Sequence, residues 1–263
     1  MVIFFIVLCL KYIIYVILNK ISINFSAKIK IFISSRFFYS YAYKDYIFFK
    51  NSNSSFLLRD LLIEVTEFCD RLVLSGINLI TETLVILLII TFLLLAETNL
   101  IILFIAYIVP CSLLFYFLVK KKIEKAAINR SEIDERKFFI AKNFFNNFKS
   151  IKSSNKENFF LKKFNEYVTN FEFTFANFNF IQIISRPFFE FAGLAFIFIW
   201  IIYNINNNID LVEIFLSLSI LVASIIRILP SLNRVIYNIG QLKFSKPSTK
   251  IVVKEFKNLD KIK

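Results

Sequence analysis

Residues 72–119, LVLSGINLITETLVILLIITFLLLAETNLIILFIAYIVPCSLLFYFLV, run for 48 positions between Arg71 and Lys120 without a lysine or arginine. A second cation-free window of 40 positions, 187–226, lies between Arg186 and Arg227. A helix crosses the hydrocarbon core of a bilayer with about 20 apolar residues, so each window has room for two spans and a short turn. The first breaks at Glu97-Thr98-Asn99, which predicts spans near 75–96 and 99–119. The second breaks in the Asn-rich stretch NINNNIDLVE, 204–213, which predicts spans near 187–203 and 213–230. Neither turn carries a cation, so the positive-inside rule turns both away from the cytoplasm.

The N-terminal run MVIFFIVLCLKYIIYVILNK is of span length and is interrupted only by Lys11. A secretory signal begins with a positive segment, whereas here the cations follow the apolar run, at Lys20, Lys28, Lys30 and Arg36. A span over 2–19 then enters from outside. The expectation is an all-α integral membrane protein of the cytoplasmic (inner) membrane with five spans, N-terminus outside and C-terminus cytoplasmic.

Composition excludes several alternatives. Of 263 residues 57% are hydrophobic and 35 are Phe, more apolar than a water-soluble domain sustains. The net charge of +13 sits beside the apolar blocks, not interleaved with aromatics, which argues against nucleic acid and for the anionic leaflet of a membrane. The three cysteines, Cys9, Cys69 and Cys111, are far apart and there is no histidine, so neither a disulfide framework nor a zinc site follows. Without histidine the usual general base of triads and dyads is absent as well.

The cationic stretches 20–72 and 120–186 carry apolar residues at helical spacing (Leu57, Leu58, Leu61, Leu62, Val65; Phe138, Phe139, Phe145, Phe148) and almost no Gly or Pro. They read as helices continuing past the bilayer into the cytoplasm. The tail from 243 to 263, with seven lysines and two acids, reads as the end of a helix followed by a solvated linker.

Four cations fall at membrane depth, where an unpaired charge costs at least about 2.5 kcal/mol: Lys11, Arg186, Arg227 and Arg234. Arg227 and Arg234, seven apart in RILPSLNR, share one helix face, and Pro187 and Pro230 adjoin this set. One reading is a cationic wall for an anionic headgroup such as phosphate or pyrophosphate, which the planar guanidinium binds well. The other is that each cation snorkels or pairs locally, as Arg186 can with Glu190 one turn on. Glu82 reads as part of a polar patch with Thr81 and Thr83, and no paired catalytic carboxylates stand out.

A phosphate-cradling loop requires clustered glycines. The chain has only Gly76, Gly193 and Gly240, so it carries no nucleotide site of its own.

The order of parts resembles the transmembrane domain of ABC exporters (the ABC transmembrane type-1 family). RFFYSYAYKDYIFFKNSNSSFLLRDLLIEV (36–65) is similar to the first intracellular loop of that family, and FKSIKSSNKENFFLKKFNEY (148–167) to the second. ISRPFFEFAG (184–193) and RILPSLNRVIYNIGQLKFSKPS (227–248) resemble its fifth and sixth spans. The last two stretches, with SSRFFYSYAYKDYIFFKNSNSS (34–55), resemble the branch that flips lipid-linked oligosaccharides.

The resemblance implies an ABC exporter-type helical domain over 1–242 with long cytoplasmic helix extensions, five of six spans present, and a linker over 243–263. It implies cavity positions for Arg186, Arg227 and Arg234, with Lys11 as a further cation. Lys44, Asp45 and Tyr46 in the first loop, and Ile151, Lys152 and Asn155 in the second, then fall where the membrane domain meets its ATPase. The first span and the fused nucleotide-binding domain are missing, as in an N-terminally truncated or split gene product.

The expected function is the permease component of an exporter moving an anionic, lipid-linked substrate, paired with a second copy or a related chain. Power comes from ATP and Mg bound by a nucleotide-binding ATPase domain on another chain; this chain itself binds no cofactor. The rival is a membrane scaffold or assembly protein whose basic helices hold a partner or anionic lipid. A membrane transferase is disfavoured because no cluster of acidic metal ligands appears.

Overall fold

The structure is a computed structural model. It describes the backbone of residues 2–52, 54–96, 98–207 and 211–259, and their side chains apart from those of 2–8, 11, 51, 92–93, 95–96, 98–101, 211–214, 216 and 259. Among the described residues there is helix and no strand. In chain order the helices are α1 (Val2–Ala42), α2 (Tyr46–Asn51), α3 (Ser54–Arg59), a π-helical segment π1 (Asp60–Glu64), α4 (Val65–Glu67), a second π segment π2 (Phe68–Val73), α5 (Leu74–Ala96), α6 (Thr98–Asn146), α7 (Phe148–Ser153), α8 (Glu157–Asn206), α9 (Leu211–Phe244) and α10 (Lys246–Leu259).

The protein is an all-α membrane protein. Among the described residues four helices are long and apolar enough to cross a bilayer, lying within Ser54–Thr91, Ile102–Asn146, Glu157–Asn206 and Ser217–Phe244. The expected breaks coincide with helix ends: α5 stops at Ala96 and α6 starts at Thr98, while α8 stops at Asn206 and α9 starts at Leu211. The fifth expected span, 2–19, lies within α1, but it falls largely on side chains outside the described set. At 49 and 50 residues, α6 and α8 extend roughly 75 Å each, far beyond a core of about 30 Å.

The chain divides into two compact units, Met1–Ile77 with Arg130–Phe171 and Ser245–Lys263, and Asn78–Asn129 with Glu172–Phe244. In the second unit α6, α8 and α9 build a core around Phe104, Phe115, Phe189, Phe196, Leu221, Ile225 and Leu229, with Trp200 packed against its edge. Phe104 meets the edge of Phe196 at 5.1 Å, and Trp200 stacks on Tyr203. Lipid is as apolar as these rings, so close packing rather than escape from water holds helices together at this depth. Small residues permit the close approach. A Cβ on Gly193 would lie 2.9 Å from a Leu229 methyl, and one on Gly240 would land on the Gln182 amide. A second cluster stacks Phe178 on Phe244 at 3.9 Å over Ile123, Ala126 and Ala127.

In the first unit Ile33 and Phe37 of α1 pack with Val65, Cys69 and Val252. The last of these belongs to α10, which corrects the expected solvated linker. Thr249 N–H donates to the Ser245 carbonyl at 2.9 Å as α10 begins, and Pro247 sits in its first turn, where a missing N–H costs nothing. Ser248 and Val252 face inward with half-buried Phe256, while Lys246, Lys250, Lys254 and Lys257 face out. The lysine-rich tail is an amphipathic helix whose charged face the composition reveals and whose apolar face it hides.

Candidate functional site

Six polar residues of α9 recur along one side of the helix: Ser224, Arg227, Ser231, Arg234, Asn238 and Gln241. Ser224, Ser231, Asn238 and Gln241 are buried. The Arg234 Nε donates to Glu82 Oε1 at 2.6 Å, and its Nη2 donates to Ser231 Oγ at 3.3 Å. Glu82 comes from α5 and its side chain is only 15% exposed, against 55% for Arg234. Its second oxygen, Oε2, is buried without a hydrogen-bond partner among the described residues. A carboxylate at this depth is tolerable because a cation from another helix faces it.

Arg227 lies two turns from Arg234 on the same face, is exposed, and makes no ion pair among the described residues. Arg186 behaves differently. Its Nε donates to Glu190 Oε1 at 2.8 Å on the same helix, with both side chains largely exposed. No contact joins Arg186 to the α9 arginines among the described residues. The Lys11 side chain lies outside the described set. Of the four cations read from the sequence, the structure brings two together on α9, one already paired with an acid.

Each of the two loop regions carries a six-residue helix, α2 and α7, both in the first unit. Asp45 occupies the N-cap position of α2 in an extended conformation but makes no side-chain cap. Tyr46 and Ile47 project outward, 81% and 69% exposed. Lys44 anchors the start of the helix, 3.7 Å from Glu255 of α10 and 4.0 Å from the Phe48 ring centre. In α7, Ile151 is buried and Lys152 pairs with Glu157 at 2.8 Å. Asn155 has φ of 51°, the left-handed turn that ends a helix. Lys156 N–H, just after it, donates to the Ile151 carbonyl at 3.2 Å. An apolar cavity of about 270 Å³ opens nearby, lined by Phe144, Phe145, Phe160 and Phe164.

The sequence reading missed a buried ionic cluster in the first unit. Arg59 donates to Asp60 Oδ1 at 2.8 Å and to Glu135 Oε2 at 2.9 Å. Arg130, 2% exposed, donates to Glu64 Oε2 at 3.3 Å and to Ser248 Oγ at 2.9 Å, and lies 3.6 Å from Glu67 and 3.7 Å from Asp134. Lys137 closes the group on Asp134 at 2.7 Å. The first π segment ends on Glu64 and the second begins just after Glu67, a distortion frequent at functional sites. The signal was present as acids at 60, 64 and 67, spaced along one helix face, with Arg130, Asp134 and Lys137, two cations around one acid, spaced the same way on another.

Among the described residues no group of three or more side chains could hold a metal ion. No family model matches the chain.

Proposed function

We propose that this chain is the permease component of an ABC-type exporter of an anionic, lipid-linked substrate, powered by an ATPase domain on another chain. The observation that carries the reading is Arg227, a cation on a membrane-spanning helix with no acidic partner among the described residues, held on one face with Arg234. A charge kept unpaired at membrane depth marks a binding or transport path more often than a structural tie. Arg234 is the second ligand in this reading. Glu82 holds it while the substrate is absent and yields it to the phosphate of an incoming headgroup. The short helices α2 and α7 are the contact points for the ATPase in the orientation that the lysines favour, with both on the cytoplasmic side.

The test is a reconstituted complex of the chain with the ATPase that co-purifies with it. A fluorescent polyprenyl pyrophosphate lipid is followed across the bilayer. Arg227→Ala lowers flipping about tenfold or more, as expected for one charge-assisted hydrogen bond to phosphate, while basal ATP turnover stays unchanged. Equal loss of both activities assigns Arg227 a structural role. ATP hydrolysis by the purified chain alone removes the need for a partner and overturns the proposal.

A further inference from the structure

Along α6, residues Phe115, Leu118, Lys122, Lys125 and Asn129 repeat at alternating steps of three and four, so they form one stripe. Along α8, Thr174, Asn177, Ile181, Ile184 and Phe188 do the same. Both stripes belong to the second unit, and between them lies a cavity of about 600 Å³. That volume falls within the range of roughly 300–1,000 Å³ typical of small-molecule sites. Its two ends differ in chemistry. Phe115 and Phe188 close one end, their rings 4.9 Å apart, beside Leu118, Phe180 and Ile184. Lys122, Lys125, Asn129 and Asn177 line the other.

The charges at the polar end are uncompensated. Lys122 and Lys125 are exposed and form no ion pair among the described residues. The acid between them, Glu124, lies 3.8 Å from Lys243. Lys122 also stands three residues beyond the long cation-free window, at the depth where a bilayer's hydrocarbon gives way to headgroups.

We propose that this groove binds an anionic glycerophospholipid, with its phosphate at Lys122 and Lys125 and an acyl chain along Leu118, Phe180, Ile184 and Phe188. The amphipathic order of the lining decides the occupant. A soluble phosphate ester leaves the apolar end unfilled, and a zwitterionic lipid brings an ammonium of its own beside the two lysines. A lipid with net negative charge fills the apolar end and offers the lysines its phosphate without that added cation. The site uses neither Arg227 nor Arg234, so it stands apart from the transport reading and holds for a protein that moves nothing.

The test uses the full-length chain in nanodiscs of phosphatidylcholine and phosphatidylglycerol at a molar ratio of about 9:1, with retained lipids counted by native mass spectrometry. The wild type retains phosphatidylglycerol above its bulk share. The double variant Lys122→Gln/Lys125→Gln lowers that preference about 25-fold, taking roughly fivefold per lysine near a membrane surface. Ile184→Trp fills the apolar end and reduces retained phosphatidylglycerol with both lysines intact. Lys120→Gln/Lys121→Gln removes the same charge outside the groove and leaves the preference in place; an equal loss there makes the effect one of general surface charge and overturns the site. Displacement of the lipid by millimolar glycerol phosphate, or equal retention of the two lipids by the wild type, overturns it too. All of these exposed or groove-lining changes are checked for unaltered size-exclusion elution before lipids are counted.

Discussion

The ion pair between Arg234 and Glu82 predicts an asymmetric double-mutant cycle. At 2.6 Å between Nε and Oε1 the charge centres are about 4 Å apart, worth up to about 4 kcal/mol at an effective dielectric near 20. Arg234 is more than half exposed, and interhelical polar contacts in membranes rarely exceed about 1.7 kcal/mol, so the expected coupling is about 1.5 kcal/mol. The single variants differ because burial differs. Glu82→Gln leaves a long arginine that can snorkel away from the apolar region and still meets an amide oxygen, a cost of about 1 kcal/mol. Arg234→Gln strands a carboxylate that is only 15% exposed, a cost of about 3 kcal/mol. Combining the two removes the stranded charge, so the double variant is more stable than Arg234→Gln alone. Unfolding of the purified chain by sodium dodecyl sulfate in mixed micelles, followed by circular dichroism, measures each corner of the cycle. Equal costs for the single variants, or additivity within about 0.5 kcal/mol, refutes the pair as a stabilising contact.

Two further outcomes concern the first unit. Burial, reinforced by the nearby Glu255 and Asp60 carboxylates, pushes the Tyr41 phenol far above its ordinary range. The unfolded chain then releases this proton at about pH 10 while the folded protein keeps it, so stability falls as pH rises beyond that point. Tyr41→Phe removes up to about 1.4 kcal/mol per pH unit of that slope, and a pH series of unfolding curves above pH 10 for both proteins reads the difference. Arg130→Ala takes the nearest cation from fully buried Glu64, leaving it only Arg59 at 3.9 Å and leaving Asp134 only Lys137, and costs about 3 kcal/mol, visible as early proteolytic release of α10, whose Ser248 accepts from Arg130. Replacing Glu64 by Leu and Arg130 by Met together recovers most of that loss; failure to recover argues that packing rather than charge is at stake.

Much of the architecture was legible from where lysine and arginine are absent. A cation in hydrocarbon is costly, so the two cation-free windows mark the spans, and the polar breaks near 97 and 204–213 coincide with the helix ends at Ala96 and Asn206. The same logic failed in the first unit. Arg59 and Arg130 lie in stretches that read only as helices continuing past the bilayer, yet both are buried, because two segments far apart in the chain bring acids at 60, 64, 134 and 135 around them. Hydrophobic period did not reveal the π segments either. An inserted residue turns the apolar stripe by about 100°, but with apolar residues on nearly every side of LLIEV and FCDRLV the sequence shows no stripe whose turn could be seen. On α9 the seven-residue spacing placed Arg227 and Arg234 on one face, but Glu82, counted as part of an interfacial polar patch, is what meets Arg234.

The position of Trp200 makes the second unit visible by itself. It is the chain's single tryptophan, and it packs against the core built by α6, α8 and α9. Excitation at the red edge of the absorbance band reaches this indole alone, although seven of the eleven tyrosines, including Tyr39, Tyr41, Tyr43 and Tyr46, lie in the first unit. The protein thus carries a native optical label for one of its two parts: a shift in tryptophan emission reports a change around Trp200, while tyrosine emission that changes without it reports events elsewhere.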